Sequence, residues 1–497
     1  MNRRNFLRTA AAAAGGLMVG FSIPERLSAD TPASESKLNA FVHVGADDHV
    51  TLFIHKSEMG QGTVTSLSML LAEELECDWK KIRTEFPGVS PEYGGFQGVV
   101  GSQSIRTSWQ SLRQAGANAR EMLVQAAAQK WGVDKAQCRA ENNSVVNTAT
   151  KARLSYGSLA EAASKLPVPT GVALKDPAQF RIVGKPMKRL DTPSKVNGTA
   201  EFGIDVRLPN MKYAVVARCP VFGGKVASFD PAKAKAVPGV TNVLQISNGV
   251  AVVADNTWSA MQGKRALEIQ WDEGKTAAFS SPGISQTLAD TTKQPGQPQK
   301  TVGDAVAALA SAAKKLDALY EVPYLAHAPM EPLNCVADVR SDRCDIYAST
   351  QMQTSARAQA AKMAGLKPDA VQVHTKYLGG GFGRRAQADY VGEATEISKA
   401  VGIPIKLTWS REDDLQQDLY RPASVTRFAA GLDADGWPVA FQSQTACTYF
   451  GGARTAVEGI ADTPYAIPNM LVGSHNVDPG IPVSYWRSVG YSQNTFF

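Results

Sequence analysis

The sequence lacks the cysteine pattern of a metal-cluster protein. Its 497 residues contain six scattered cysteines, and no two of them form a C-x-x-C pair. An iron–sulfur cluster or a structural zinc held by this chain alone is therefore not expected. The six histidines do not cluster convincingly either, which favours core or surface roles over a metal site. A bond between Cys335 and Cys344 is conceivable in an oxidising compartment, but isolated buried thiols are the favoured interpretation.

Signals for nucleic-acid and nucleotide binding are also missing. The net charge of +6 is mild for this length, and no run of lysines and arginines stands out beyond the N-terminus. No G-x-x-x-x-G-K-[ST] phosphate loop occurs. A dinucleotide fingerprint starting at Gly379 would place Arg384 where its third glycine belongs. An NAD-dependent dehydrogenase is therefore nearly excluded.

The N-terminus has the features of an export signal. Paired arginines, Arg3 and Arg4, precede Asn-Phe-Leu, and an apolar stretch follows at residues 10–21. That stretch is too short to span a bilayer as a permanent helix, and residues 27–29 (Leu-Ser-Ala) suit a cleavage site. We predict that residues 1–29 are a twin-arginine signal peptide that delivers the folded protein to the periplasm. A general secretory peptide is the alternative.

Length and periodicity predict a mixed α/β protein of two to four domains. Alternating apolar positions on both sides of an aspartate turn predict a hairpin at residues 41–55, and an amphipathic helix is predicted from Trp109 to about Trp131. The predicted units are residues 38–165, the first part of one domain, residues 184–271, an α/β unit, and residues 305–497. Between them, the Pro-rich residues 165–179 are predicted to be a connector and the polar residues 286–303 a linker.

One glycine-rich turn, residues 379–385, joins a predicted strand to a predicted helix. The strand pattern ends at Tyr377, and the helix pattern covers residues 390–401. Glycines at such a junction permit positive φ angles and close approach of a ligand, and N–H groups ahead of a helix suit an anion. Arg384 and Arg385 strengthen that interpretation, because a guanidinium group matches phosphate oxygens. A tight structural turn remains an equal alternative.

Two further junctions have the same character. Gly60-Gln61-Gly62 leads into a helical pattern at residues 66–75, and its glutamine supplies an amide donor and acceptor. Residues 101–104 (Gly-Ser-Gln-Ser) precede the long predicted helix. Their hydroxyl groups could cap that helix, or they could hold a phosphate together with its free N–H groups. Both interpretations stay open at this point.

Taken in order, these stretches resemble the large, molybdenum-binding subunit of the xanthine oxidase family, and most closely the branch of the isoquinoline 1-oxidoreductase β subunit. The resemblance covers nearly all of the chain after the signal. Each motif is modest alone, whereas the ordered set is specific. The matching motifs are Gly60-Gln61-Gly62, Gly101 to Ser104, Asp191…Lys195-Val196…Gly198…Ala200, Glu331-Pro332, Ser349-Thr350-Gln351, Gly379 to Arg385 and Trp486 to Gly490.

The resemblance implies a multi-domain molybdopterin-binding subunit in which residues 184–271 form an α/β "hammerhead" domain. It implies a molybdopterin cytosine dinucleotide bound between subdomains by backbone amides and small side chains, without metal ligands from this chain. Gln61 and Gln351 would place their amides near the metal or pterin. The implied contact residues are Gly60, Gln61, Gly62, Gly101, Ser102, Gln103, Ser104, Gln351, Gly380, Gly381, Phe382, Gly383, Arg384 and Arg487.

The implied reaction is hydroxylation of an electron-poor carbon, in an N-heteroaromatic ring or an aldehyde, with water as the oxygen source. Two electrons would leave through [2Fe–2S] clusters, for which this chain has no cysteine set. The resemblance therefore implies a small [2Fe–2S] partner subunit, and a periplasmic c-type cytochrome is a further candidate partner. The substrate is a small molecule, no nucleic acid is involved, and no membrane span is expected in the mature chain.

One departure from the family concerns the general base. The family uses a glutamate in a Gly-x-Gly-Glu stretch far toward the C-terminus, and this sequence contains none. The role is transferred to none of Glu58, Glu331 or Glu393. We therefore expect the sequence to be an N-terminal fragment or a truncated product that is inactive by itself. The alternative function is a non-catalytic chain that binds the cofactor or the small subunit.

Overall fold

The computed structural model describes residues 17–20 and 40–497, which fold into two compact units. The first unit contains the described residues up to 207 together with residues 336–379, and the second contains residues 208–335 and 380–497. Both units combine helices and β-sheets, so the predicted mixed α/β class is confirmed. One division between the units follows Arg207. The predicted domain bounds of residues 38–165, 184–271 and 305–497 stay predictions.

The strands carry the labels β1 to β21 in chain order. They are β1 Leu17–Gly20, β2 Ala40–Val44, β3 Val50–Phe53, β4 Ile82–Glu85, β5 Cys138–Glu141, β6 Ser144–Asn147, β7 Arg153–Ser155, β8 Lys212–Ala217, β9 Lys225–Asp230, β10 Val240–Ile246, β11 Gly249–Ala254, β12 Glu268–Asp272, β13 Gln297–Val302, β14 Lys314–Val322, β15 Asn334–Val339, β16 Cys344–Ala348, β17 Val371–Thr375, β18 Ile405–Thr408, β19 Ser424–Leu432, β20 Pro438–Cys447 and β21 Met470–Asn476.

The helices are labelled in the same way. They are α1 Thr63–Leu75, α2 Ser104–Trp131, α3 Tyr156–Ser164, α4 Thr192–Val196, α5 Ala232–Lys235, α6 Thr257–Ala266, α7 Ser281–Thr291, α8 Ala305–Ser311, α9 Gln353–Ala364, α10 Asp389–Val401, α11 Arg411–Gln416 and α12 Tyr491–Asn494. Among the described residues, no helix is both long and apolar enough to cross a membrane.

The first unit contains a four-stranded sheet in the order β1-β2-β3-β4. Strands β2 and β3 pair antiparallel, with Val42 opposite Leu52, which confirms the predicted hairpin. Strand β1 pairs antiparallel with β2 and falls inside the predicted signal peptide, the rest of which lies outside the described residues. The unit also contains the antiparallel sheet β5-β6-β7 and, in its second segment, the parallel pair β16 and β17.

The core of the first unit lies between helices α1 and α2 and the sheets. Leu67, Leu71 and Leu75 follow one another on the buried face of α1 and have no exposed surface. Gly116 of α2 faces α1 so closely that a Cβ atom there would lie 2.4 Å from the carbonyl oxygen of Leu71. Since interiors are packed at crystal-like density, this contact requires glycine. Helix α2 begins at Ser104, five residues before the predicted start at Trp109.

The Pro-rich stretch predicted to be a loose connector is held tightly against α1. The three backbone N–H groups of its continuation, residues 181–183, donate four hydrogen bonds of 2.6 to 3.2 Å to the buried carboxylate of Glu73. The Lys175 ammonium group pairs with the same carboxylate. Neighbouring Glu74 accepts a hydrogen bond from Arg113 at 2.9 Å. The stretch is irregular because of its prolines, yet Leu166 and Val168 pack against the core of the unit.

The second unit contains two sheets and a strand pair. One sheet has the order β10-β11-β8-β18, and helix α6 packs on it around Val215, Val252 and Ala260. The other has the order β13-β21-β20-β19-β14, and strands β9 and β12 form a separate pair. The predicted linker at residues 286–303 is wrong, because α7 and β13 occupy it and β13 pairs antiparallel with β21. Pro298 is tolerated there since β13 is an edge strand.

All six cysteines lie in the described part of the chain and are free thiols, and only Cys138 is partly exposed. This confirms the favoured interpretation over a disulfide. Burial raises the pKa of the Cys447 thiol to about 12, so that side chain is an unreactive core residue at neutral pH.

The contacts of Glu73 predict a large effect on stability. Burial alone would raise the pKa of Glu73, but Lys175 and the backbone donors hold it below the ordinary value of 4.5. Replacing Glu73 by Gln should lower the free energy of unfolding by about 1.5–3 kcal/mol, because charge-assisted hydrogen bonds are lost from a buried site. Urea denaturation at pH 7 measures the change.

The same carboxylate has a predictable pH dependence. Because its pKa is lowered on folding, its stabilisation is complete above the ordinary value of 4.5 and is lost as the pH falls below that value. The difference between wild type and Glu73→Gln should therefore shrink in acid. Glu161→Gln is the matched control, since Glu161 forms an exposed pair with Lys165 on α3 and should leave stability unchanged. A constant difference from pH 7 to pH 3 would contradict this assignment.

Candidate cofactor site

The glycine turn at residues 60–62 closes around a buried glutamate of the same chain. Glu58 has no exposed surface, and its Oε1 atom accepts hydrogen bonds from the N–H groups of Gly60 and Gly62 at 2.7 and 3.0 Å. Its Oε2 atom accepts from the N–H group of Val64 at 3.0 Å, in the first turn of α1. A carboxylate is stabilised at a helix N-terminus by these groups and by the helix dipole. The backbone N–H groups of Gly60, Gly62 and Val64 thus bind Glu58, and the predicted cofactor contacts of Gly60 and Gly62 stay a prediction.

The amide of Gln61 serves the same turn. Its Oε1 atom accepts a hydrogen bond from the N–H group of Met59 at 2.8 Å, and its Nε2 atom donates to the carbonyl of Ser57 at 3.1 Å. The residue is exposed. The described contacts of Gln61 are therefore structural, and its contact with a cofactor stays a prediction.

The turn also contacts the guanidinium group of Arg189, a residue that the sequence interpretation missed. The Nη2 atom of Arg189 lies 3.3 Å from Glu58 and 2.8 Å from Asp191, and its Nη1 atom donates to the carbonyl of Gly60 at 3.0 Å. Lys195 also pairs with Asp191, at 2.5 Å. Although burial opposes it, hydrogen bonds from Arg189 and Lys195 lower the pKa of Asp191 to about 2. The position of Arg189, two residues before the Asp191 motif, was the available signal.

The loop at residues 101–104 is exposed and carries a strained residue. Ser102 adopts a left-handed conformation with φ of 54°, which a serine adopts only at a cost. Among the described residues, no side chain caps helix α2, whose N-cap residue is Gln103. Of the two interpretations left open by the sequence, capping by a hydroxyl group is therefore not observed. The N–H groups of a 28-residue helix begin at an exposed Gly-Ser loop.

Gln351 lies next to the segment that leads into this loop. Its backbone carbonyl accepts a hydrogen bond from the N–H group of Val99 at 2.8 Å, and its Nε2 atom donates to the carbonyl of Val99 at 3.2 Å. The residue is 3% exposed. Gln351 therefore contacts Val99, two residues before the predicted motif at residues 101–104, so the fold brings these two motifs of the first unit close together.

The second unit contains the glycine loop, defined here as residues 380–385. Gly380, Phe382 and Gly383 all have positive φ angles, of 94°, 55° and 109°. A Cβ atom on Gly383 would lie 1.6 Å from the carbonyl oxygen of Tyr485, so only glycine fits. Gly383 is thus required by a contact inside the protein. Phe382 is a non-glycine residue in a left-handed conformation and remains 36% exposed.

The two arginines of the loop bind carboxylates of the protein, which agrees with the structural turn, one of the two alternatives left open by the sequence. Arg384 is 1% exposed, donates to both oxygens of Asp389 at 2.9 and 2.6 Å, and lies 2.8 Å from Asp418. Although burial opposes it, these carboxylates raise the pKa of Arg384. Arg385 is fully buried, pairs with Glu331 at 3.1 Å and donates to the carbonyl of Gly380 at 2.9 Å. Both side chains therefore fix the shape of the loop.

The predicted motif at residues 486–490 is a second strained segment of this unit. Ser488 and Val489 have φ angles of 75° and 52°, and such a conformation is unusual for a β-branched residue. Arg487 lies exposed between them and Trp486. Its predicted place near the active-site pocket stays a prediction.

The residues present suit a phosphate-bearing organic cofactor. The uncapped start of α2 next to strained Ser102 offers backbone N–H donors, which is the chemistry that binds pyrophosphate. Among the residues that the structure describes, no group of three or more His, Cys, Asp or Glu side chains could hold a metal ion. A molybdenum ion at this site would therefore be carried by its pterin rather than by side chains.

Comparisons with known proteins point to the same cofactor. Two families of molybdopterin cofactor-binding domain match the chain, one over residues 7–206 and the other over residues 289–497. The chain is 29% identical to the β subunit of the isoquinoline 1-oxidoreductase of Brevundimonas diminuta, with 100% of this chain and 72% of that protein covered. It is 27% identical to a subunit of the nicotinate dehydrogenase of Pseudomonas putida, with 93% and 41% covered.

A third relative is named for a different cofactor, and one solved structure shares the fold. The chain is 30% identical to the membrane-bound aldehyde dehydrogenase (pyrroloquinoline-quinone) of Gluconacetobacter polyoxogenes, with 97% of this chain and 65% of that protein covered. The aldehyde oxidoreductase of Desulfovibrio gigas superposes with a TM-score of 0.52 at 19% identity, covering 69% of this chain and 44% of the other. This structural likeness concerns the fold alone.

The contact between Gly383 and Tyr485 predicts a severe effect of a single methyl group. Gly383→Ala should lower the free energy of unfolding by more than about 3 kcal/mol, because the loop backbone must move away from the carbonyl. Gly402→Ala is the control, since Gly402 ends α10 with φ of 73° and no described heavy atom lies within 4 Å of its added Cβ. It should cost about 1 kcal/mol. Equal costs in urea denaturation would contradict the steric explanation.

Proposed function

Because the chain belongs to the molybdenum-binding subunits of the xanthine oxidase family, we propose that it forms part of the large subunit of a molybdenum hydroxylase. The observation that carries the proposal is the start of helix α2. There an uncapped 28-residue helix begins at an exposed loop with a strained serine, and the loop lies close to Gln351.

The proposed cofactor is a molybdopterin cytosine dinucleotide. When bound, it supplies the two-electron redox chemistry by which water oxygen is added to an electron-poor carbon. The N–H groups of residues 101–104 would hold its pyrophosphate, because that segment offers donors without a carboxylate of its own among the described contacts. In the first unit, the amides of Gln61 and Gln351 are the proposed contacts to the pterin.

The proposed substrate is an N-heteroaromatic compound or an aldehyde. This choice is supported by the names of the relatives, which include an isoquinoline oxidoreductase, a nicotinate dehydrogenase and an aldehyde dehydrogenase. The first two relatives are themselves named as single subunits, which supports a multi-subunit enzyme. We propose a small [2Fe–2S] subunit as the electron acceptor, with a c-type cytochrome beyond it, and periplasmic delivery by the twin-arginine route.

A direct experiment separates this proposal from a non-catalytic chain. The protein is isolated with its native partners, and molybdenum per chain, cytidine monophosphate released by acid, and turnover of isoquinoline, nicotinate and benzaldehyde are measured. One molybdenum and one cytidine monophosphate per chain, with turnover of one substrate class, are expected. A preparation with neither molybdenum nor nucleotide would overturn the proposal. Cofactor without turnover would favour the non-catalytic alternative.

The proposed phosphate contact can be tested at Ser104, the first residue of α2. Ser104→Asp places a negative charge at the start of the helix, where it has opposite effects on the helix and on a bound phosphate. The helix should be stabilised by about 0.3–1 kcal/mol through its dipole, whereas the phosphate should be repelled. Retained cytidine monophosphate should fall about tenfold, which corresponds to about 1.4 kcal/mol. Thermal unfolding and nucleotide release measure the two effects.

Ser104→Asn is the matched control, because asparagine has the shape of aspartate without its charge. It should retain nucleotide within about twofold of wild type while leaving the unfolding temperature nearly unchanged. If Ser104→Asp retained the wild-type amount of nucleotide, the phosphate would not lie at the start of α2. A parallel loss in both variants would point to a steric effect instead.

A further inference from the structure

The second unit contains a buried charge cluster that no part of the proposed chemistry uses. The His327 side chain has no exposed surface, and its Nδ1 atom lies 3.0 Å from an oxygen of Asp418. On its other side, the Nε2 atom lies 2.9 Å from the carbonyl oxygen of Tyr485. The nearest ring, that of Trp486, is inclined at 37° with its centre 6.4 Å away.

Asp418 acts only as an acceptor in this cluster. Its Oδ2 atom accepts from both the backbone N–H group and the ring of His327, and its Oδ1 atom accepts from the N–H group of Leu419 at 2.7 Å and faces Arg384 at 2.8 Å. Donors therefore surround both oxygens, as an ionised carboxylate requires. The proton between Asp418 and His327 must then belong to the histidine.

The second ring nitrogen also faces an acceptor. A carbonyl oxygen has no proton to donate, so the 2.9 Å approach of Nε2 to Tyr485 requires a proton on Nε2 as well. A neutral imidazole would bring two lone pairs together at that distance in a site without water-exposed surface. Two protons on the ring make His327 a cation.

The pairing of charges agrees with this conclusion. Arg384 pairs with both Asp389 and Asp418, so the two aspartates share one guanidinium group. An imidazolium at His327 supplies Asp418 with a cation of its own. Buried charges are costly unless they are paired in this way.

We infer that His327 carries a proton on each ring nitrogen and positions the glycine loop by holding the Tyr485 carbonyl against Gly383. That carbonyl lies so close to Gly383 that no side chain fits between them, and Arg384 of the same loop shares Asp418 with the histidine. His327 thus binds the Tyr485 carbonyl directly and is linked through Asp418 to Arg384, the residue after Gly383. The charge of His327 is inferred from its contacts alone. Any effect of His327 on cofactor retention rests on the proposed function.

The charge is tested first on the wild-type protein with its partners. Histidine labelled with 15N is observed by NMR at pH 7.5, and the His327 signals are those missing from His327→Gln. Both ring nitrogens of His327 should resonate in the protonated range. An unprotonated ring nitrogen for His327 would overturn the inference, and this result needs no foldable variant beyond the one used for assignment. If that variant does not fold, the other five histidines are assigned by their own Gln variants, and the remaining ring signals are those of His327.

Paired substitutions test the positioning role. His327→Gln leaves an excess negative charge, so amide hydrogen exchange in residues 380–385 should accelerate at least tenfold. The double variant His327→Gln with Asp418→Asn restores neutrality, and exchange should slow again toward the wild-type rate. A double variant that exchanges as fast as the sum of both single changes predicts would contradict the charge argument.

His374→Gln is the matched control. His374 also pairs with an aspartate at 2.9 Å, but it is 42% exposed and lies in the first unit. Its replacement should leave exchange in residues 380–385 unchanged. Cytidine monophosphate retention then distinguishes the two proposals: a wild type without nucleotide refutes the proposed function only, whereas a His327→Gln variant with full nucleotide and an unchanged loop refutes the positioning role.

Discussion

Buried carboxylates and the donors they require organise this protein. Glu58, Glu73 and Asp418 are each almost completely buried, and each is surrounded by backbone N–H groups and cations. An ionised carboxylate taken out of water is tolerated only when its lone pairs are satisfied. Each therefore forms a hydrogen bond or ion pair with a residue that is distant in the sequence. Glu73 fixes a proline-rich segment that would otherwise be loose, and Glu58 shapes the start of α1.

This constraint changes what a glycine turn means. The turn at residues 60–62 and the loop at residues 380–385 have the composition of anion sites, yet the first surrounds Glu58 and the second directs its arginines to Asp389, Asp418 and Glu331. An internal carboxylate uses the same donors that a phosphate would use. The start of α2 differs, because the described contacts place no carboxylate there.

Periodicity allowed most elements to be predicted from the sequence. The hairpin β2–β3, helix α1 and helix α10 are defined by local patterns of apolar residues, which depend only on near neighbours. The assignment of residues 286–303 to a linker failed because polar and proline-rich composition describes an edge strand as well as a coil. Strand β13 is identified by its pairing with β21, more than 160 residues later, and no local signal contains that information.

The partners of charged side chains were beyond prediction for the same reason. Arg384 and Arg385 follow glycines in the sequence, which suggested a ligand. In the structure, Arg384 pairs with Asp418 and Arg385 pairs with Glu331, both of which are distant in the sequence. Arg189 lies two residues before the Asp191 motif, but its partner Glu58 is distant in the sequence, so its role was missed. Ion pairs between distant residues depend on the finished fold, and a set of motifs does not contain them.

The motif residues consequently fall into two kinds. Gly383 and Arg384 are explained by contacts within the protein, with the Tyr485 carbonyl and with carboxylates, and these contacts would require the same residues if no cofactor were bound. Ser102 and Phe382 are different, since both are non-glycine residues held at positive φ and both remain exposed. Backbone strain persists only where the surrounding structure enforces it, and it gathers at functional sites. The strained and exposed residues, rather than the glycines, are therefore the stronger indicators of where a ligand is held.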